Sequence, residues 1–214
     1  MGTSFRFMLL KYFKNIFDEN EIYMPNKHNG NTNLVNANER QLLEQTYDLN
    51  NKKVILAHCN YNELNVTSDF SKKCFSIVCV REPIDRFISH YYYFSFKETN
   101  KPLFELSEEE LDKYIDNYGN LLTLRLSGGT KNYKDAIKNI RNIDSIILLE
   151  DLNAGLKNLN EKLNKNTGQN IKLEEEKKNV QKSKREELDK ERMKLKSEKL
   201  KDDINLYKRI KKNA

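Results

Sequence analysis

The spacing of apolar residues predicts that helices alternate with short strands along this chain. Apolar side chains recur every three or four positions over residues 5–17, which predicts an amphipathic helix. Residues 18–36 are rich in Asn and interrupted by Pro and Gly, so they are predicted to form a loop. Three short apolar runs predict strands, at 53–57, 75–80 and 144–149.

Helical spacing fills the intervals between these strands. Pro83 suits the first turn of a helix, and Ser107 with Glu110 three residues later forms a capping box. Strands that alternate with helices favour an α/β fold, with a parallel sheet flanked by helices. The predicted helices cover residues 37–48, 83–96, 107–118, 120–127, 132–142 and 151–165.

The C-terminal part differs from the rest in its sparse apolar residues and dense charge. Residues 172–212 consist almost entirely of helix-forming residues, so they predict a charged helix, with partial disorder as the alternative. The heptad between Leu188 and Leu195 is not sustained, which disfavours a coiled coil. We expect an α/β domain over 1–170 and a helical extension over 171–214. In this prediction the extension is largely exposed over 172–200 and docks at its end, near Ile204–Ile210.

Charge and composition narrow the classes of function. The chain has 214 residues and a net charge of +6, and residues 172–214 alone hold 16 Lys+Arg against 10 Asp+Glu. The body is therefore neutral, which argues against a nucleic-acid partner. No apolar run approaches 18 residues and no signal peptide is evident, so neither a transmembrane segment nor a targeting sequence is expected. The compartment stays open; it would be the cytoplasm if Met1 is the true start.

Cysteine and histidine residues predict no metal site. The three cysteines lack a CxxC spacing, and the three histidines do not cluster with them beyond the adjacent pair His58-Cys59. Three reduced, half-buried thiols are expected, with one disulfide and a free thiol as the alternative.

The densest chemical signal follows the predicted strand at 75–80. Arg81 stands at the carboxyl end of that strand, where open α/β sheets bind ligands, and a helix begins two residues later. Arg81 can offer a bidentate fork to a phosphate, and Ser89 can add a hydroxyl. The alternative is that Arg81 pairs with Glu82 or Asp85 and that Ser89 faces water.

Two weaker signals lie upstream. Gly2, Thr3 and Ser4 precede the first helix and can surround a phosphate with backbone N–H groups and hydroxyls, although Ser4 can equally be an ordinary helix cap. His58 ends a short predicted strand at the same sheet edge as Arg81. A single histidine at such a place is more often structural than catalytic, but this position favours a role in the site.

Together these segments resemble a known family. Residues 79–96 match the pattern Arg-X-Pro-X-X-Arg-X-X-Ser-X-Tyr-Tyr, which is similar to the 3′-phosphate motif of sulfotransferases that use 3′-phosphoadenosine 5′-phosphosulfate (PAPS). The likeness is to the carbohydrate group that includes heparan sulfate and uronyl 2-O-sulfotransferases. Further segments resemble parts of the same family, namely Gly2-Thr3-Ser4, Ala57-His58, Asn120 to Gly128, Asp144 to Leu152 and Asp203 to Tyr207.

The resemblance implies a P-loop-like fold and transfer of a sulfuryl group from PAPS to a hydroxyl of a glycan acceptor, without a metal. His58 would be the catalytic base. Gly2, Thr3 and Ser4 would hold the 5′-phosphosulfate, while Arg81 and Ser89 would bind the 3′-phosphate. Members of the family are typically anchored in the Golgi membrane.

Two departures from the family pattern bear on activity. The family's first strand and the Lys of its 5′-phosphosulfate loop would precede Gly2, and neither is found in this sequence. We therefore expect a weak or inactive sulfotransferase from the chain as it stands. Two alternatives remain open: a remnant that only binds the nucleotide, and an interaction protein that uses the basic helical tail.

Overall fold

The computed structural model describes two long stretches of the chain, residues 75–168 and 184–213. It also describes a few residues outside them, at positions 9, 13, 14, 18, 22, 23, 54, 55, 170, 172 and 173.

The strands pair in parallel in both described sheets. β1 (Ile22–Tyr23) pairs with β2 (Val54–Ile55), and β3 (Ile77–Val80) pairs with β4 (Ser145–Leu148). In the second pair Val80 lies opposite Leu148, so both strands end at the same edge. The general α/β expectation is confirmed to this extent: helices predominate around short parallel pairs.

The prediction for residues 18–36 is wrong at two positions. Residues 18–36 were expected to be loop throughout, but Ile22 and Tyr23 form β1. A two-residue strand carries no alternation of apolar and polar residues, so only its pairing with β2 distinguishes it from loop.

The helices follow the predicted order, with shifts of a few residues at their ends. The predicted capping box is present, because the Ser107 hydroxyl accepts from the Glu110 amide and Glu110 accepts from the Ser107 amide. The helices described over residues 75–168 are α1 (Pro83–Phe94), α2 (Phe96–Thr99), α3 (Glu108–Tyr118), α4 (Leu121–Leu126), α5 (Tyr133–Ile140) and α6 (Leu152–Thr167), with 3₁₀ turns at Leu103–Glu105 and Leu149–Asp151.

The predicted N-terminal helix is described only at a few positions. Leu9 and Phe13 are helical and buried, and they pack in one cluster with Ile147 of β4 and the inner face of α6. α6 approaches β4 closely because position 155 is glycine: a Cβ there would lie 2.8 Å from Ile147 Cγ2. Lys14 is in a turn, and the other residues of the helix predicted over 5–17 lie outside the described residues, as does the helix predicted over 37–48.

The C-terminal extension is broken into two helices and is more buried than predicted. It comprises α7 (Lys184–Leu195), a 3₁₀ turn (Ser197–Leu200) and α8 (Lys201–Asn213). The extension was expected to dock only at its end, and this is wrong over 184–200, since Met193 and Leu200 are fully buried in a cluster with α1 and α3. Leu188 and Leu195 are exposed, as expected. Apolar content alone underestimated this contact, because Asp189 is also fully buried, through hydrogen bonds that hydropathy does not register.

The end of the chain packs against the body. Leu206, Tyr207 and Ile210 of α8 are buried in a cluster with Val80 and with residues of α4 and α5. Among the described helices, none has the length and apolarity that crossing a bilayer requires.

Candidate functional site

The candidate site lies at the edge where β3 and β4 end. Arg81 and Glu82 connect β3 to α1, and Pro83 is the first helical residue, where its missing N–H costs no hydrogen bond. Glu82 caps the helix, since its Oε2 accepts from the Asp85 amide at 2.8 Å. Burial raises the pKa of the Glu82 carboxyl. The connection is therefore short and held at its helical end by its own side chain.

Arg81 and Ser89 are half-buried and keep their polar groups available. Within the described part of the chain, neither side chain makes a hydrogen bond or ion pair with a protein group. The acids suggested as alternative partners of Arg81 are engaged elsewhere: Glu82 caps α1, and Asp85 pairs with Lys190 of α7 at 2.6 Å. Within the described residues, no protein group therefore competes with a phosphate for the side chains of Arg81 and Ser89.

Arg86, the second arginine of the motif, has a structural position. Its guanidinium donates to the carbonyls of Tyr118 (3.0 Å) and Gly119 at the end of α3, and it lies 3.7 Å from the Asp203 carboxylate. Burial lowers the pKa of Arg86, while Asp203 opposes that shift. Arg86 therefore fastens α1 to α3 and to the C-terminal helix.

Asp203 is the counterpart of Arg86 and is fully buried at the start of α8. Its two oxygens accept from the backbone amides of Leu122 (3.0 Å) and Thr123 (2.7 Å), at the N-terminal end of α4. Asn120 joins the same contact, because its Oδ1 accepts from the Asp203 amide. Burial raises the pKa of the Asp203 carboxyl, against the opposing effects of Arg86 and the two amides. A carboxylate at this place caps α4 from a distant part of the chain.

Glu150 makes a second junction, in the 3₁₀ turn that follows β4. One of its carboxylate oxygens accepts from the Glu82 amide at 2.8 Å, and the other accepts from the Tyr207 hydroxyl at 2.9 Å. Burial, followed by the bond to Glu150, raises the pKa of Tyr207, so this hydroxyl stays protonated and donates. Glu150 thereby links the residue after Arg81 to α8.

These two junctions join four segments that are far apart in the sequence. Residues 79–96, 120–128, 144–152 and 203–207 meet through Arg86, Asp203 and Glu150. Sequence motifs singled out each segment, but the individual contacts between them were not predicted. The available sequence signal for the α8 contacts was the spacing of four residues between Asp203 and Tyr207, which places both on one face of a helix.

Sequence reasoning missed His90, which follows Ser89 on α1. Its Nδ1 lies 2.7 Å from the Tyr114 hydroxyl, and its ring packs against Phe94 and Tyr118. Burial, together with two nearby guanidinium groups, lowers the pKa of His90 to about 4. The imidazole is consequently neutral at physiological pH.

The described residues include only part of the predicted site. Gly2, Thr3, Ser4 and His58 lie outside the described residues, and their roles stay predictions. Within the described part, no three His, Cys, Asp or Glu side chains form a group suited to a metal. A small open pocket lies where α3 meets α4, with Asp116, Asn120, Lys131 and Lys199 in its lining, separate from Arg81 and Ser89.

Comparison with known proteins adds no relative. No family model, no curated protein and no solved structure matches this chain.

Proposed function

We propose that this protein binds PAPS and transfers its sulfuryl group to a hydroxyl of a carbohydrate acceptor. The observation that carries the proposal is the pair Arg81 and Ser89, which face no competing protein ligand in the described part and follow a parallel strand and a helix start. The proposal also draws on the resemblance of residues 79–96 to the 3′-phosphate motif of PAPS-dependent sulfotransferases, which implies a P-loop-like fold.

The junctions around Arg86 and Glu150 support the same proposal. An arginine that forms a bidentate hydrogen bond to a phosphate needs a fixed position. Here Glu150 holds the backbone directly after Arg81, by accepting from the Glu82 amide. Arg86 anchors the next turn of α1 to α3 and α8. The two arginines of the motif therefore take different roles, with Arg81 for the ligand and Arg86 for the scaffold.

In the proposed reaction, the acceptor hydroxyl oxygen forms a bond to sulfur while the bond from sulfur to the 5′-phosphate oxygen breaks. His58 takes the hydroxyl proton, a step that contributes about 10²–10⁴-fold when a base is well placed. Gly2, Thr3 and Ser4 hold the 5′-phosphate, which leaves as part of adenosine 3′,5′-bisphosphate. Arg81 and Ser89 bind the 3′-phosphate and set the position of the nucleotide.

The binding part of the proposal is tested by calorimetric titration with adenosine 3′,5′-bisphosphate. Arg81→Ala should weaken binding by roughly ten- to a hundredfold, because a charged hydrogen bond is worth about 1.5–3 kcal/mol. Ser89→Ala should weaken it less. Arg141→Ala is the matched control, because Arg141 is exposed and lies outside the site. Equal affinity of the wild type and Arg81→Ala would refute the assignment.

Turnover separates an enzyme from a remnant that only binds the nucleotide. Labelled PAPS is incubated with sulfate-free glycans, and transfer of label to the glycan is measured. Transfer that disappears in His58→Ala supports the enzyme and its base. Nucleotide binding without transfer supports the remnant.

An interaction protein remains the second candidate, because of one surface feature. Lys208, Arg209, Lys211 and Lys212 occupy one exposed turn of α8, and none forms an ion pair within the described chain. Ile210 between them is buried, so this basic turn is fixed to the body. Failure of the wild type to bind adenosine 3′,5′-bisphosphate would favour this candidate over both nucleotide-binding functions.

A further inference from the structure

The contact between Tyr207 and Glu150 places a carboxylate beside the proposed anion site. Glu150 accepts from the amide of Glu82, the residue next to Arg81 in the chain. A carboxylate bound to the backbone next to an arginine is within reach of that arginine's long side chain, so it can compete for the guanidinium that an incoming phosphate needs. The hydrogen-bond donors that bind the Glu150 oxygens therefore affect whether Arg81 is available to the ligand.

Both Glu150 oxygens are engaged by other donors. The Glu82 amide binds one of them and the Tyr207 hydroxyl binds the other, at 2.8 and 2.9 Å. Within the described chain, Arg81 forms no ion pair with Glu150 or with any other acid. The carboxylate is thus bound to the Glu82 amide and the Tyr207 hydroxyl, and not to Arg81.

Tyr207 is well placed to hold this arrangement. Its ring is 7% exposed and packs in the cluster formed by α4, α5, α8 and the ends of both strands. One turn earlier, Asp203 ties α8 to α4 and lies beside Arg86 of α1. Because α8 is held at both places, the Tyr207 hydroxyl stays where it is. Glu150 would therefore have to break its bond to this hydroxyl in order to turn toward Arg81.

We propose that Tyr207 is a positioning residue, which holds the Glu150 carboxylate so that Arg81 stays free to bind the 3′-phosphate. This inference rests on the proposed function. Loss of the Tyr207 hydroxyl releases one carboxylate oxygen, which then pairs with Arg81 and competes with the nucleotide. A neutral side chain at position 150 has no charge with which to compete, so it removes the need for Tyr207.

The experiment measures the affinity for adenosine 3′,5′-bisphosphate by calorimetry at low salt. Tyr207→Phe should bind about tenfold more weakly than the wild type, the effect of one competing charged contact. The double variant Tyr207→Phe/Glu150→Gln should regain the wild-type affinity to within about threefold. Tyr114→Phe is the matched control, because it removes another hydroxyl bonded within the body, to His90, and should leave the affinity unchanged.

Each outcome separates this inference from the proposed function. The wild type decides the function: if it does not bind the nucleotide, both proposals are overturned. If the wild type binds, unchanged affinity in Tyr207→Phe overturns the inference alone. A loss that Glu150→Gln does not restore also overturns it, since a purely structural role of Tyr207 would give that result.

Circular dichroism establishes whether Tyr207→Phe folds. Should it not fold, Glu150→Gln alone still tests the inference. Removing the competing charge should then leave the nucleotide affinity equal to that of the wild type or tighter. An affinity more than about threefold weaker would overturn the inference, because it would show that the carboxylate charge itself supports binding.

Discussion

Replacing Asp203 by Ala should destabilise this protein more than any neighbouring surface substitution. Asp203 is fully buried, and its two oxygens accept from the Leu122 and Thr123 amides while Arg86 lies 3.7 Å away. Ala would leave both amides without an acceptor and Arg86 without its counter-ion. Breaking a buried pair by removing one partner costs about 3–5 kcal/mol. That is a large share of the roughly 5–15 kcal/mol that holds a domain folded.

Two variants separate the contributions of charge and shape. Asp203→Asn keeps one oxygen acceptor at nearly the same volume but removes the charge, so we expect a smaller loss than for Ala, about 2–3 kcal/mol. Asp202→Ala is the matched control, because Asp202 is adjacent, in the same first helical turn, and less buried. It should cost at most about 1 kcal/mol, from the helix dipole.

Urea unfolding followed by circular dichroism measures these differences, with the free energy of unfolding obtained by linear extrapolation. A double-mutant cycle with Arg86→Gln should give a coupling of about 0.5–3 kcal/mol between Arg86 and Asp203. If Asp203→Ala cost no more than Asp202→Ala, the α8 contact would not stabilise the fold in the way argued.

Three other predictions concern ionisable groups. Burial raises the pKa of the Cys79 thiol to about 12, so in a variant whose other cysteines are serine it should react with a disulfide reagent far more slowly than the unfolded chain. The pKa of His90 falls to about 4, below its unfolded value near 6.5, so stability should decrease as pH falls from 6.5 toward 4; urea midpoints in His90→Gln should lose much of this dependence. Bonds to Lys196 lower the pKa values of the Glu108 and Asp112 carboxyls. The stability they contribute is therefore present above their ordinary pKa values and lost as pH falls below them, and 1 M salt should reduce this acid sensitivity.

Local sequence determined the elements around the candidate site. The β-branched run before Arg81 predicted β3, Pro83 predicted the start of α1, and the Ser107 capping box predicted the start of α3. Each of these signals acts between residues a few positions apart, through backbone geometry or a single side-chain hydrogen bond. Such interactions can be recognised in a sequence without knowing which distant segments meet.

Tertiary structure alone decided what Arg86, Asp203 and Glu150 do. Charge and helix propensity are the same for Asp202 and Asp203, yet Asp203 is fully buried against α4 and Asp202 is not. Met193 and Asp189 likewise lie in a segment too polar to predict burial, and they are buried because α1 and the turn at Leu103–Glu105 offer them an apolar surface and hydrogen-bond donors. The energy of a buried charge depends on partners that the fold brings from distant parts of the sequence, as it brings Arg86 to Asp203, and no local pattern carries that information.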